Sequence, residues 1–465
     1  MDRFLSKLVD KVYKYPFQTI LVWLIIFSIS LFFTLRLDNV IINRFPGPKY
    51  SNSSLARQII NKEFNNFSSD NLVMVLHSNR FNINDKKFLD YENHLLKKLA
   101  NSEFIKSVHS SKELNISVDN QTSFILISLN STKYSNKLVL SLRNMANEVS
   151  NKDQIEHYLT GLLAYSYDAF YDGTKEIKKV EKIALFLSLI VLIYVFGGIF
   201  PAIIPAISGF ICLISGFCTL YFVGYFSAAT SMSQAVVSIL SLALGIDYPL
   251  FILNRFREEY LNNGNVLESF KTAALTSGKA VIFSGLILLI GSIYWIINLH
   301  DVVWINPSAI CTISVIFVST LLGLTMIPAI LFITDKYFNL KKLITNKFIT
   351  KESDKIWINI ANLIKAKPGF ILLINLLVLI LLIFPLKNIK IWYPNVSQGI
   401  EYLEATKGFK LLAKNNLSGE LAPIYIVLDG NGTKIINKKS LADLNLFVKK
   451  IEKNKKVKEV KSIVN

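Results

Sequence analysis

Cysteine is scarce in this chain: three among 465 residues, Cys212, Cys218 and Cys311, all inside apolar runs. None lies in a polar segment, so no disulfide framework can be drawn. Histidine is nearly as rare. His77, His94, His109, His157 and His300 show no metal-ligand spacing. HExxH, CxxC, P-loop and GxGxxG patterns are all missing. With no catalytic constellation in sight, the chain reads as a non-enzyme, without metal or organic cofactor. Acidic residues are in deficit, 33 against 51 Lys and Arg, a formal net charge of +18. In a soluble chain that excess would suggest nucleic acid. Here much of the lysine borders apolar runs, so it reads as membrane-surface and topology charge, with membrane lipids and not nucleic acid as its partner.

What the chain has in abundance is apolar sequence. Hydrophobic residues make up 52% and the mean hydropathy is +0.40, which places it among polytopic membrane proteins. Runs long enough to cross a bilayer fall at 17–35, 182–199, 202–223, 234–254, 280–298, 307–333 and 369–386. The first follows a basic amphipathic lead, MDRFLSKLVDKVYKYP, with Phe4, Leu5, Leu8, Val9 and Val12 at helical spacing. No small-residue cleavage site follows, so the pair reads as a retained anchor. Arg3, Lys7, Lys11 and Lys14 in the lead, Arg255, Arg257 and Lys271 after the fourth span, and eight lysines over 336–367 all fall on one side if seven spans alternate. The positive-inside rule makes that side the cytoplasm. The expected organisation is a lead helix and first span (1–35), an extracytoplasmic domain (36–181), five spans (182–333), a basic cytoplasmic connector (334–368), a seventh span (369–386) and a second extracytoplasmic segment (387–465), in an inner or plasma membrane.

Segment 36–181 alternates two periods. SNSSLARQIINKEF, DKKFLDYENHLLKKLA and SNKLVLSLRNMANEVS are helical; NLVMVLH, FIKSVHS, TSFILISLN and IEHYLTG are strand-like. The core order β-α-β-β-α-β predicts a ferredoxin-like α+β sandwich. GLLAYSYDAFYDGTKEIKKVEK then runs as a helix into the second span.

The chain also repeats itself. KYPFQTILVWLII resembles KAKPGFILLINLLVLI, with Pro16 and Pro368 352 positions apart. LDNVII resembles LKNIKI. NLVMVLH, a helix and FIKSVHS return as APIYIVLDG, KSLADLNLFVKKIEK and VKEVKSIV. The reading is one complete half followed by an incomplete second half. The two outside segments are expected to share a fold, with 423–428 and 457–463 as neighbouring strands. A fragment, a split gene and a shortened chain remain open.

One stretch inside the fourth span stands out: ALGIDYPLF, 243–251. Asp247 lies two turns before Arg255, roughly 12 Å at 1.5 Å per residue. A carboxylate at that depth costs about 2.5–3.5 kcal/mol on insertion scales, so it usually faces the protein interior and a proton path. Tyr248 adds a hydrogen-bonding phenol. Pro249 deprives the Gly245 carbonyl of its helical partner. Ser238, Ser241 and Gly245 form a small-residue stripe suited to close helix packing. The arrangement reads as a proton-titratable, deformable point; an aspartate satisfied by serines of adjacent spans is the alternative. Arg255, Arg257, Glu258 and Glu259 read either as a cytoplasmic latch or as topology charges paired along one helix. Ser277, Ser284, Asn306 and Thr312 are candidate relay partners or polar contacts that hold helices together.

ALGIDYPLFILNRFREEY, 243–260, resembles the span-four signature of the MMPL (mycobacterial membrane protein large) family of the RND superfamily, through Gly245, Ile246, Asp247, Tyr248, Arg255, Phe256, Arg257, Glu258 and Glu259. TSGKAVIFSG, 276–285, is similar to the start of that family's fifth span. The resemblance implies an RND-type fold and proton-driven export of lipids or other amphiphiles, with protons as the coupling ion. It implies that Asp247 and Tyr248 form a proton relay completed by a second Asp-Tyr pair in the other half, from the same or a separate chain. Pro249 departs from the small apolar residue usual in the family. A non-transporting scaffold or decayed remnant, and a protein-translocation accessory of the same superfamily, are the competing functions.

Overall fold

The computed structural model describes residues 1–42, 51–63, 72–114, 119–129, 136–149, 155–196, 198–299, 302, 305–337, 352–388, 401–415, 417, 424–430, 436–454, 457 and 459–464. They divide into two compact units, Met1–Pro46 with Phe170–Tyr393 and Gly47–Ala169 with Pro394–Asn465. Much of the basic connector, including Lys341, Lys342 and Lys347, lies outside the described residues.

The first unit is helical. It opens with α1 (Asp2–Lys14) and α2 (Pro16–Thr34) and continues in α6 (Leu162–Phe196), which enters it at Phe170. α7 (Ile199–Phe226), α8 (Ser231–Asn263), α9 (Val266–Ala273), α10 (Lys279–Asn298), α11 (Ile305–Leu321), α12 (Ile327–Tyr337), α13 (Glu352–Ala366) and α14 (Pro368–Ile383) complete it. π-helical turns join α9 to α10 (Ala274–Gly278) and α11 to α12 (Leu322–Met326). Six helical stretches among the described residues are long and apolar enough to cross a membrane: Pro16–Asn39, Ile199–Phe226, Ser231–Asn263, Val266–Asn298, Ile305–Tyr337 and Pro368–Leu386. This is a multi-pass membrane protein. The stretch expected as the second span is helical through Phe196; residue 197 lies outside the described residues, and α6 is not among the six.

The core of this unit gathers Tyr248, Ile252, Phe256, Phe270, Ile327 and Leu331 from α8, α9 and α12. α1 joins it through Leu5, Val9 and Val12. Of the apolar face expected for the lead, Phe4 is 67% exposed: it falls on the side of α1 turned from that core. Asp2 meets Lys279 at 2.7 Å and Asp10 meets Lys271 at 2.9 Å, so α1 lies against the ends of α9 and α10. α14 buries none of its residues.

The second unit begins with α3 (Asn52–Glu63). β1 (Leu72–His77), α4 (Lys86–Ala100), β2 (Ile105–Ser110), β3 (Thr122–Leu129), α5 (Asn136–Val149) and β4 (Glu156–Thr160) follow, in the expected β-α-β-β-α-β order. The sheet is antiparallel, in the order β2-β3-β1-β4. Leu72, Met74 and Leu76 point to one face, under Phe88, Leu95 and Leu99 of α4 and Leu138 and Leu142 of α5, as the period of two requires. Val73 and Val75 point to the other, where they meet Leu412.

Leu412 belongs to α15 (Glu404–Lys414); α16 (Lys438–Glu452) is the last described helix. The helices carry the repeat: Pro16 and Pro368, Asn52 and Glu404, and Lys86 and Lys438 start three matched pairs, each 352 positions apart. Among the described residues the expected strands of the second copy do not form. The described residues of 423–428 and 457–463 carry no strand, and no described strand lies beside either to complete a ladder.

Candidate functional site

α8 runs unbroken from Ser231 to Asn263 through Pro249. It is started by a capping box in which Thr230 accepts from the Ser233 N–H and the Ser233 hydroxyl from the Thr230 N–H. It is ended by Gly264 at φ 71°, a left-handed cap that suits glycine. Ser238, Ser241, Gly245, Tyr248, Pro249 and Ile252 face inward. Ile239, Ala243, Asp247 and Phe251, four residues apart in turn, are exposed. Asp247 is thus the one charged group in an otherwise apolar open stripe.

Its neighbour Tyr248 is buried at 5% exposure, and its hydroxyl donates to Ser284 Oγ on α10 at 3.4 Å. A Cβ at Gly285 would lie 3.0 Å from Ile316 Cγ2 and 3.8 Å from the Tyr248 hydroxyl. The lack of a side chain there lets α10 and α11 close around the phenol. On the opposite side Gly245 and Gly209 let α8 and α7 cross closely: a Cβ on Gly245 would stand 2.6 Å from Cys212 Cβ, and one on Gly209 2.6 Å from Ile246 Cγ1. Pro249 packs near Gly323 in the π-helical turn before α12, whose own Cβ would meet Ile252 Cδ1 at 2.8 Å. Helix-breaking proline and π turns thus stand side by side next to Asp247, a pairing common where helices adjust.

The structure brings Tyr248 and Ser284 together and leaves other candidates apart. Thr312 donates to the Ser308 carbonyl on its own helix at 2.8 Å. Asn306 lies ten positions before Ile316 on α11, roughly 15 Å along the axis. Ser277 falls in the first π turn. Arg255 pairs with Glu258 at 2.8 Å and with Glu259, both on its own helix, and Arg257 lies 6.0 Å from the Phe196 ring. Ser241 Oγ is buried with no hydrogen-bond partner among the described residues. Ser238 does more than pack: its hydroxyl donates to Glu181 of α6. Glu181 was not among the sequence candidates. Its signal is an acid immediately before the second apolar run.

A profile of the MMPL family matches residues 46–371. The chain belongs to the MMPL family. It is similar to the trehalose monomycolate exporter MmpL3 of Mycobacterium tuberculosis (strain CDC 1551 / Oshkosh), 30% identical over 160 residues, 34% of this chain and 17% of that protein. It is 31% identical over 184 residues to the mycolic acid-containing lipids exporter MmpL11 of Mycolicibacterium smegmatis, 39% of this chain and 19% of that one. Membrane protein YdfJ of Bacillus subtilis (strain 168) is 25% identical over 267 residues, 57% and 36% of the two chains. The chain thus covers well under half the length of these relatives.

Proposed function

We propose that this chain is the first half of a proton-coupled exporter of lipids or related amphiphiles in the inner membrane, with its N-terminus in the cytoplasm. The observation that carries the reading is Asp247, a carboxylate midway along the apolar stretch of α8, next to a buried phenol tethered to α10. An acid so placed is costly unless it works. The exposed stripe Ile239, Ala243, Asp247 and Phe251 supports a second half packed against it, from further residues of this protein or from a separate chain. α14, with no buried residue, supports the same reading. The names of two relatives support lipid as the cargo. The element order and strand order of the second unit support a ferredoxin-like porter domain.

The test is proton flux and lipid movement in proteoliposomes under a pH gradient, for the chain alone, with a second half supplied, and for Asp247→Asn in that complex. Asp247→Asn is nearly isosteric and removes a costly charge, so it should insert and fold. It should abolish flux, and the chain alone should carry none. Undiminished flux in the variant complex would remove Asp247 from the mechanism. A complex that moves nothing would favour the scaffold reading instead.

A further inference from the structure

A cleft opens on the side of the helical unit, between α2, α7 and α12, with about 230 Å³ of free volume. Leu24 and Phe27 of α2, Ile207 and Phe210 of α7 and Ile330 of α12 wall it, over the buried Trp23. Leu24, Ile207 and Phe210 are exposed, so the cleft faces the bilayer. Trp23 brings the one N–H among the lining side chains, and it already donates to Thr325 Oγ1 at 2.9 Å, in the π turn before α12. A space without free polar partners holds no ordered water. It is smaller than the ~300–1,000 Å³ of pockets that take compact ligands. A helix, about 10–12 Å across with its side chains, can lie over it but not enter. A hydrocarbon chain can enter. Phe27 and Phe210, with ring centroids 6.0 Å apart, mark the far end. Phe27 stands eleven residues after Pro16, the first residue of α2, roughly 16 Å along the axis. That is about half of a ~30 Å hydrocarbon core, so the cleft lies within one leaflet, the one next to α1.

The surface of that leaflet is cationic beside the cleft. Phe17 and Tyr337, with ring centroids 6.0 Å apart, bring the start of α2 and the end of α12 together. Lys14 and Lys336 flank this contact, both exposed, each over a neighbouring tyrosine ring at 5.3 and 5.4 Å. The acids close by in sequence are engaged elsewhere: Asp10 pairs with Lys271 at 2.9 Å, and Asp335 accepts from Tyr260 at 3.2 Å. Among the described residues neither lysine has an ion-pair partner. We propose that the cleft and these two lysines form one binding site for an anionic phospholipid, with an acyl chain in the cleft and the phosphate held by Lys14 and Lys336. Charge complementarity selects the head group, since two lysines repel the amine of a zwitterionic one. The chain rests on Trp23, whose hydrogen bond reaches the π turn beside Pro249. The site uses none of the groups assigned to proton transfer, and it stands whatever the protein moves.

Quenching of Trp23 by brominated acyl chains tests it, because bromine quenches at contact. The full chain, with its other four tryptophans replaced by Phe, is placed in phosphatidylcholine bilayers holding a small, varied share of dibrominated phosphatidylglycerol or dibrominated phosphatidylcholine. A second chain that keeps only Trp295, exposed on α10, reports the bulk lipid. Phosphatidylglycerol should half-quench Trp23 at a several-fold lower lipid fraction than phosphatidylcholine, each lysine contributing roughly fivefold. Lys14→Gln with Lys336→Gln should bring the two lipids level, and Trp295 should not distinguish them. Equal quenching of Trp23 by both lipids, the same preference at Trp295, or a preference that survives the loss of both lysines overturns the proposal. No quenching of Trp23 by either lipid overturns it too, since protein would then cover the cleft. Native mass spectrometry of the unsubstituted chain keeps the proposal testable if the tryptophan-poor chain folds poorly. One phosphatidylglycerol should stay bound where phosphatidylcholine leaves, and Lys14→Gln with Lys336→Gln should lose it; retention of both lipids alike, or of neither, overturns the proposal.

Discussion

Gly245 of α8 stands so close to α7 that a methyl group on it would lie 2.9 Å from Gly209 Cα. That neighbour is backbone, so no side-chain rotation relieves the contact. Gly245→Ala should force the two helices apart, at an overpacking cost of about 1–3 kcal/mol. The melting temperature in detergent checks it: Gly245→Ala should melt several degrees lower. An equal melting temperature would mean that the crossing is looser than described.

Arg143 of α5 holds Asp168 with two hydrogen bonds, 2.6 and 2.9 Å, and has Nε 2.8 Å from Glu404. Burial pulls the guanidinium down, but the hydrogen bond to Asp168 and the charge of Glu404 more than offset it and hold it above its ordinary value. The Arg143 and Asp168 side chains are 13% and 8% exposed, so removing the cation leaves a buried carboxylate without its counter-charge. Arg143→Met should cost about 3–5 kcal/mol. Adding Asp168→Asn should recover part of that. Denaturant midpoints for the single and double variants measure both.

Glu92 on α4 is 3% exposed and accepts a hydrogen bond from Ser123 at 2.5 Å. Burial raises its carboxyl above the usual range, outweighing the hydrogen bond. A carboxyl that titrates higher folded than unfolded stabilises the fold in acid. That contribution is full below the unfolded value and is lost as pH rises through the folded one. Hydrogen exchange in 86–100 and 122–129, corrected for intrinsic rate, should show protection falling from mildly acidic to neutral pH. Glu92→Gln keeps an acceptor for Ser123 and should flatten the profile; a variant with the same slope as wild type would place the titration elsewhere.

The proposed orientation puts α4 outside and the end of α8 inside. Cysteines introduced singly at Asn101 and Asn263, both exposed, should react with an impermeant maleimide from outside and from inside respectively. The reverse pattern would invert the topology.

Much of this architecture can be read along the chain, because its signals are local. Apolar runs announce spans, and period-two and period-3.6 patterns announce the elements of the second unit. The 352-residue offset is visible as matched words and returns as matched helix starts. What escaped depends on distant packing. Nothing local says that Ala405 will meet Thr160, 245 positions away, or that Ser238 will find Glu181. The strand character of APIYIVLDG is present in its residues, yet a ladder needs a neighbour, and none of the described residues provides one. At the candidate site the aspartate, tyrosine and proline were legible as a local oddity. The glycines that let neighbouring helices close on them, Gly285 and Gly323, were not, since a glycine's role there is set by the helix opposite.

The contact between Asp2 and Lys279 has a consequence for biosynthesis. The two residues are the ends of a stretch that takes roughly 14–55 s to synthesise at about 5–20 residues per second. α1 is made that long before its partner on α10 exists. In that interval anionic lipid head groups can hold its basic residues at the membrane surface, a temporary cradle for the helix.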